Sequence, residues 1–369
     1  MRKALLETLR PQCPVCLTAE SPVRSPLSIA RVDRNVGEQI VEGLLVCGNS
    51  TCQREFPIID GLPILVGPIR QFVSDQLAPL LQRDDLSAAT ESLIGDCCGP
   101  GSPHETWRQH QSTYVGDHWG EFDSDDAATE VPVQLPAEYS ASSIVRVLSR
   151  GLELIHLAEL PAGPVLDLGC GPGRTTFELA RRTGRLALGI DLNFALLKTA
   201  DLVLREGRVR YARRRAGIAY DRRDFAVPAK ARGGQAEFCV ADATALPFAH
   251  EQMALVVALN LLDSIASPLA LLESIRNVLL PGGQAIIASP YDWSAAATPV
   301  ENWLGGHSQR APGGGDPAQV LRALVMGQHS QAIAGLELLH EVDNIPWEVR
   351  LHERSVTQYR VHLVVVRRT

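Results

Sequence analysis

An α/β fold is predicted, with a Rossmann-like doubly wound sheet built from most of the chain and a small β-rich unit in front of it. Three observations predict it. Strand and helix patterns alternate from residue 164 onward, glycines at 169, 171 and 173 form the first strand-to-helix turn, and four cysteines fall in two close pairs within the first 52 residues. These observations divide the chain into a clipped unit over residues 1–70, a connection over 71–110 and a main body over 111–369.

The 369 residues are 45% hydrophobic and 21% charged, an ordinary globular composition. No apolar run approaches the roughly 18 residues that span a bilayer, and the start MRKALLETLRPQ lacks the apolar core of a secretory signal. A cytoplasmic protein with no membrane partner is expected. The net charge of -7 argues against a general nucleic-acid binder. Residues 208–235 depart from it, with nine basic side chains (Arg208, Arg210, Arg213, Arg214, Arg215, Arg222, Arg223, Lys230, Arg232) against Asp221 and Asp224. Such a run is a solvated face, or it lends an arginine to a substrate carboxylate.

In the first unit, Cys13 and Cys16 form CPVC, and Cys47 and Cys52 form CGNSTC. Two close thiolate pairs brought together by a hairpin complete a closed four-sulfur shell suited to structural Zn2+. A unit of about 70 residues gains by such stapling, because its own apolar core is small. The segment REFPIIDGLPILV follows, apolar and turned at Asp60-Gly61. Residues 10–68 thus resemble the zinc-ribbon family typified by the activator subunit of tRNA methyltransferases. In that family the ribbon is often fused to, or bound by, a methyltransferase. The stretch QRDDLSAATESLIGDCCGPGSPHE is rich in small and turn residues and reads as a connection, with Cys97 and Cys98 incidental.

The body opens with PVLDLGCGPGRTTFELARRTGRLALGIDL, which reads as strand, glycine turn, amphipathic helix and second strand. Asp191 closes that second strand, where a carboxylate can accept from both hydroxyls of a ribose. Asp167 precedes the turn in a DxGxGxG form, suited to an amino group and not to a pyrophosphate. Asp242, in FCVADATALPF, stands at a third strand end, positioned for an adenine amino group. A fourth strand, a helix, LLPGG and a fifth strand follow, up to residue 290.

This ordered set resembles class I S-adenosylmethionine-dependent methyltransferases. The resemblance implies seven strands, the last antiparallel, and a donor site made by Asp167, Gly169, Cys170, Gly171, Gly173, Asp191, Leu192, Asp242, Ala243 and Asn260. Residues 110–368 further resemble the methyltransferase domain of ovothiol biosynthesis, which methylates an imidazole nitrogen of a thiol-bearing histidine. The shared elements are Tyr114, His118, Trp119 and Gly120; Asn260 to Asp263; SPYDWSAAATPVENWLGG over 289–306; and Pro346 to Gln358. What this implies is an N-methyltransferase of a small histidine-derived imidazole. Asp263, His118, Tyr291 and Asp292 are then the candidates for catalysis, and Tyr114, Trp119, Trp293, Trp303 and Arg350 for holding the acceptor. O- or C-methylation of another small molecule, or a macromolecule such as tRNA or a release factor recruited by the ribbon, are the alternatives; a homodimer is compatible with either. Residues 344–367 read as a closing strand pair.

Overall fold

The computed structural model describes residues 1–18, 22–124 and 142–369. The strands are β1 (Leu27–Val36), β2 (Gln39–Cys47), β3 (Glu55–Ile59), β4 (Leu62–Leu65), β5 (Val165–Leu168), β6 (Ala187–Asp191), β7 (Arg208–Ala216), β8 (Ala219–Ala226), β9 (Ala236–Ala241), β10 (Met253–Leu259), β11 (Leu279–Ser289), β12 (Leu336–His352) and β13 (Ser355–Arg368). Eleven of them form one sheet in the order β1-β2-β3-β4-β9-β6-β5-β10-β11-β13-β12, and β7 and β8 make a separate hairpin. From β9 to β12 this is the expected seven-stranded body. β9, β6, β5, β10 and β11 run parallel, and β13 enters antiparallel between β11 and β12.

The central strands are buried on both faces, so β5 and β10 are apolar at almost every position instead of alternating. Helices lie against both faces. They are α1 (Lys3–Leu9), α2 (Pro14–Leu17), α3 (Ile69–Asp75), α4 (Leu77–Leu80), α5 (Ala88–Cys98), α6 (Pro103–Trp119), α7 (Ser143–Leu152), α8 (Arg174–Thr183), α9 (Phe194–Glu206), α10 (Pro268–Val278) and α11 (Pro317–Val325). One apolar cluster joins α6, α7, α8 and α9 to one face through Trp119, Leu148, Phe177 and Leu197; another joins α10 and α11 to the other through Leu272 and Leu324. Burying one such leucine is worth about 1.5–3 kcal/mol. No helix among the described residues is long and apolar enough to cross a membrane.

The strands of the N-terminal unit join the main sheet: β4 pairs in parallel with β9, Ile64 opposite Val240 and Leu65 opposite Ala241. The reason is that β4 is buried at all four positions, an apolar edge that requires a partner. The 71–110 connection is largely helical and covers the body. Ser87 and Ser102 cap α5 and α6 by accepting from Thr90 N and Glu105 N, both at 3.1 Å.

The basic run is the β7–β8 hairpin, and most of its charge is paired. Arg208 and Arg210 grip Asp224 at 2.6 and 2.9 Å, Arg222 reaches Glu91 of α5, and Arg223 donates to Asp123 at 2.6 Å. Tyr220 donates to Glu105 of α6 at 3.0 Å, with the Arg108 guanidinium 4.0 Å over its ring. The arginines therefore fasten the hairpin to the helical cover.

Candidate active site

All the elements of the site meet at the carboxyl ends of β5, β6, β9, β10 and β11. After β5 the backbone turns through Gly169, Gly171 and Gly173, at φ values of 67°, 52° and 85°. A side chain at Gly173 would also collide, since a Cβ there lies 2.7 Å from Ala200 and 2.8 Å from Phe238. The turn delivers the start of α8 to the cleft. Asp167 lies beneath it, 2% exposed, its Oδ2 accepting from the hydroxyls of Thr175 and Thr176 at 2.7 and 2.6 Å. Burial pushes its carboxyl up to about 6, against the opposing pull of those two hydroxyls.

Asp191 accepts from Gly171 N at 2.9 Å and Asn193 N at 2.7 Å, which ties the glycine turn to the end of β6. Asp242 is held by the amide and hydroxyl of Thr244 at 2.8 and 2.7 Å. Between these two carboxylates lies a cavity of about 300 Å³, lined by Gly169, Asp191, Leu192, Asp242, Ala243 and Leu261. Leu192 is 44% exposed there, an apolar surface open to a flat ligand. Cys170 is buried behind the turn. Asn260 follows β10 at φ 53°, and both atoms of its amide are enclosed without a hydrogen-bond partner. Such an orphaned amide fits a ligand that supplies its own donors and acceptors.

Residues 166–287 match the family described as a methyltransferase domain. The chain carries an S-adenosylmethionine-dependent methyltransferase domain of the class I fold. Among solved structures, the domain is similar to an S-adenosylmethionine-dependent methyltransferase from Methanosarcina mazei, at 19% identity over 57% of this chain and 95% of the other, with a TM-score of 0.36. It is also similar to a methyltransferase described as putative from Bacillus halodurans, at 17% identity over 59% and 98%, with a TM-score of 0.37. No curated protein matches the chain.

On the methyltransferase's other side, the ends of β10 and β11 bring Asp263 and Asp292 together. Asp292 N donates to Asp263 Oδ2 at 2.6 Å, and the Tyr359 hydroxyl of β13 donates to Asp292 Oδ2 at 2.9 Å. Burial raises the Asp263 carboxyl, against the opposing pull of the Asp292 amide and the Ser289 hydroxyl. Tyr114 of α6 faces the same space, its hydroxyl raised first by burial and then by Asp191, Asp263, Asp117 and Asp292. His118, one turn along the same face of α6, is 6% exposed and driven down to about 3 by burial and by Arg174, so it is a neutral imidazole. Its ring lies 3.6 Å from where a Cβ of Gly171 would stand.

Other sequence candidates are placed differently. Trp119 is not an open wall: it is fully buried, edge-on to Phe177, and donates from Nε1 to the Pro172 carbonyl at 2.9 Å. Its large apolar ring is taken up by the core under the glycine turn. Tyr291, at φ 56°, commits its hydroxyl to His362 Nδ1 at 2.7 Å, while His362 Nε2 meets Glu341 at 2.8 Å. Trp293 and Trp303 stack on each other at 5.7 Å, and Trp303 borders an outer groove with α11. Arg350 lies within electrostatic reach of Tyr211 and Arg213 on the hairpin. Tyr359, with Trp347 stacked on it at 4.8 Å and Asp117 accepting from Trp347 Nε1 at 2.9 Å, was not evident in the sequence. A tyrosine in an alternating strand carries no local mark of what it will face.

The four N-terminal cysteines also converge. Their sulfurs lie within 4.8 Å of one another, with Cys13–Cys52 at 3.9 Å and Cys16–Cys47 at 3.7 Å. A zinc tetrahedron with bonds of about 2.3 Å has edges of about 3.8 Å, so the thiols fit that ion. Asn49 supports them, donating from its backbone to Cys47 at 3.4 Å and from its amide to Cys16 at 3.6 Å.

Asp191→Ala should weaken binding of S-adenosylmethionine by about 1.5–3 kcal/mol in calorimetry, because it removes acceptors for ligand hydroxyls and frees the Gly171 turn. The circular dichroism spectrum should be retained.

Proposed function

We propose that this methyltransferase alkylates a ring nitrogen of a small histidine-derived imidazole. The observation that carries the proposal is the Asp263–Asp292 pair at the strand ends, facing Tyr114 and Tyr359 beside the glycine turn. The donor supplies an electrophilic methyl group on a sulfonium. Asp191 would hold its ribose, Asp242 and Leu192 its adenine, and Asp167 and Asn260 its amino-acid end.

Asp263 would accept the N–H of one imidazole nitrogen. That fixes the tautomer and leaves the other nitrogen with its lone pair free. Alkylation makes the ring cationic, and the two carboxylates stabilise that charge as it develops. Tyr291 acts at a distance in this reading: with His362 it holds the backbone from which Asp292 projects. The thiol cluster would hold one structural Zn2+ per chain, closed to substrate by its four sulfurs.

A labelled-donor assay against histidine, its thiol derivatives, small phenols and bulk tRNA tests the reading. Transfer to an imidazole supports it, and transfer to phenols alone or to tRNA alone replaces it. A second expected result concerns pH. An ionised Asp167 is the form that accepts the donor's ammonium, and its carboxyl sits near 6 in the free protein. Affinity for S-adenosylmethionine should therefore rise with pH through about 6 and level off above it, measured calorimetrically.

A further inference from the structure

Residues 289–306 are aromatic and broken by proline, yet their two tryptophans stack on each other. The polar groups of the segment have a more specific use. After β11 the chain turns at Ser294, whose carbonyl accepts from Ala297 N at 3.0 Å and from Thr298 N at 2.8 Å. Thr298 is thereby buried, at 0% exposure, and its hydroxyl is shared between the Ile265 carbonyl at 2.8 Å and the Asp263 carbonyl at 3.2 Å. Asn302 Nδ2 donates to the next carbonyl, that of Ala266, at 2.8 Å. Trp303 closes the arrangement, donating from Nε1 to the carbonyl of Thr298 itself at 2.8 Å.

The loop gripped in this way belongs to the cavity between Asp191 and Asp242. Residues 260–267 join β10 to α10, and Leu261, Ser264, Ile265 and Ala266 line that cavity, with Ala297 of the gripping segment beside them. Within the loop, Ser264 N bonds the Leu261 carbonyl at 2.9 Å; the Asp263, Ile265 and Ala266 carbonyls are bonded from residues 289–306. Ser264 and Ala266 are exposed, so packing alone does not fix the loop. A connection with few ties of its own takes its shape from the groups that hold its carbonyls.

We propose that Thr298 is a positioning residue of the donor site. Its hydroxyl holds residues 263–266 in the shape that walls the adenosine of S-adenosylmethionine; Asn302 adds a second tie, and Trp303 fixes the turn that carries Thr298. The same hydroxyl holds the backbone of Asp263, which joins the donor wall to the carboxylate at the end of β10. This rests on the cavity being the seat of the adenosine, and the identity of the acceptor does not enter. Valine has nearly the shape of threonine without its hydroxyl, so Thr298→Val leaves enclosed carbonyls without their donor and releases the loop.

The test titrates S-adenosylhomocysteine and adenosine into the full chain by calorimetry, with a melting curve for every variant. Thr298→Val should bind both ligands about fivefold to twentyfold more weakly, Asn302→Ala about threefold more weakly, and Thr298→Ser within about twofold of wild type. Thr183→Val is the control, because it deletes a hydroxyl bond to the Leu179 carbonyl at 2.7 Å at the far end of α8 and should keep wild-type affinity. Wild-type affinity in Thr298→Val, no recovery in Thr298→Ser, an equal loss in Thr183→Val, or a loss for S-adenosylhomocysteine that spares adenosine overturns the proposal. If Thr298→Val does not fold, Asn302→Ala decides, and unchanged affinity there overturns it. Asp191→Ala separates the two readings: a loss there with none in Thr298→Val removes the positioning role alone, whereas wild-type affinity in Asp191→Ala removes the adenosine from this cavity.

Discussion

Replacing Cys16 by serine is expected to unfold the N-terminal strands and to lower the melting temperature more than any surface substitution. Cys16 is 5% exposed, 3.7 Å from Cys47 and bonded by Asn49, so no water can take the place of its sulfur without opening the unit. A complete four-thiolate zinc site is worth on the order of 10 kcal/mol or more, and loss of one ligand forfeits a large share of it. The effect should travel. β4 pairs with β9 up to Ala241, one residue before Asp242, and Gln12 N bonds the Pro247 carbonyl at 2.8 Å just beyond it. Loosening that edge should weaken S-adenosylmethionine binding severalfold as well. Calorimetric melting, elemental analysis and donor titration of the variant, and of wild type treated with a strong chelator, measure all three. Wild type without stoichiometric zinc, or a variant that melts like it, would remove the metal assignment.

Asp263→Asn should lower kcat/KM by about a hundredfold to a thousandfold, roughly 3–4 kcal/mol, with donor affinity nearly unchanged. The substitution is close to isosteric, and an amide oxygen can still accept from Asp292 N, now at 2.6 Å. In the proposed reaction, what disappears is the negative charge beside the acceptor and the ability to take its proton. The loss should fall mainly on kcat, because the charge matters most as the acceptor becomes cationic. Single-turnover rates at saturating donor separate this from a folding defect. A variant with wild-type kcat would transfer the role to Asp292 or to solvent.

The methyltransferase body was legible in the sequence wherever a feature is local. The glycine turn, the Asp191 and Asp242 strand ends and the CPVC knuckle each depend on residues within a few positions of one another, so spacing alone reveals them. Even the closing strand pair shows in its alternation, and β12 and β13 cover it.

Tertiary structure decided the rest, because the deciding contacts join residues far apart in the chain. Arg222 finds Glu91 and Arg223 finds Asp123, so a run that reads as free basic charge becomes a clasp. Tyr359 reaches Asp292, and Trp347 reaches Asp117, across separations that no local pattern encodes. Trp119 reads as a binding aromatic but is claimed by the core, since a helix presents one face inward and only the packed sheet determines which face that is. The sequence by itself determined the strand ends, the glycine turn and the thiol pairs; the fold decided which acids and phenols meet at the strand ends, because their meeting depends on the packing of α6 and β13 against the sheet.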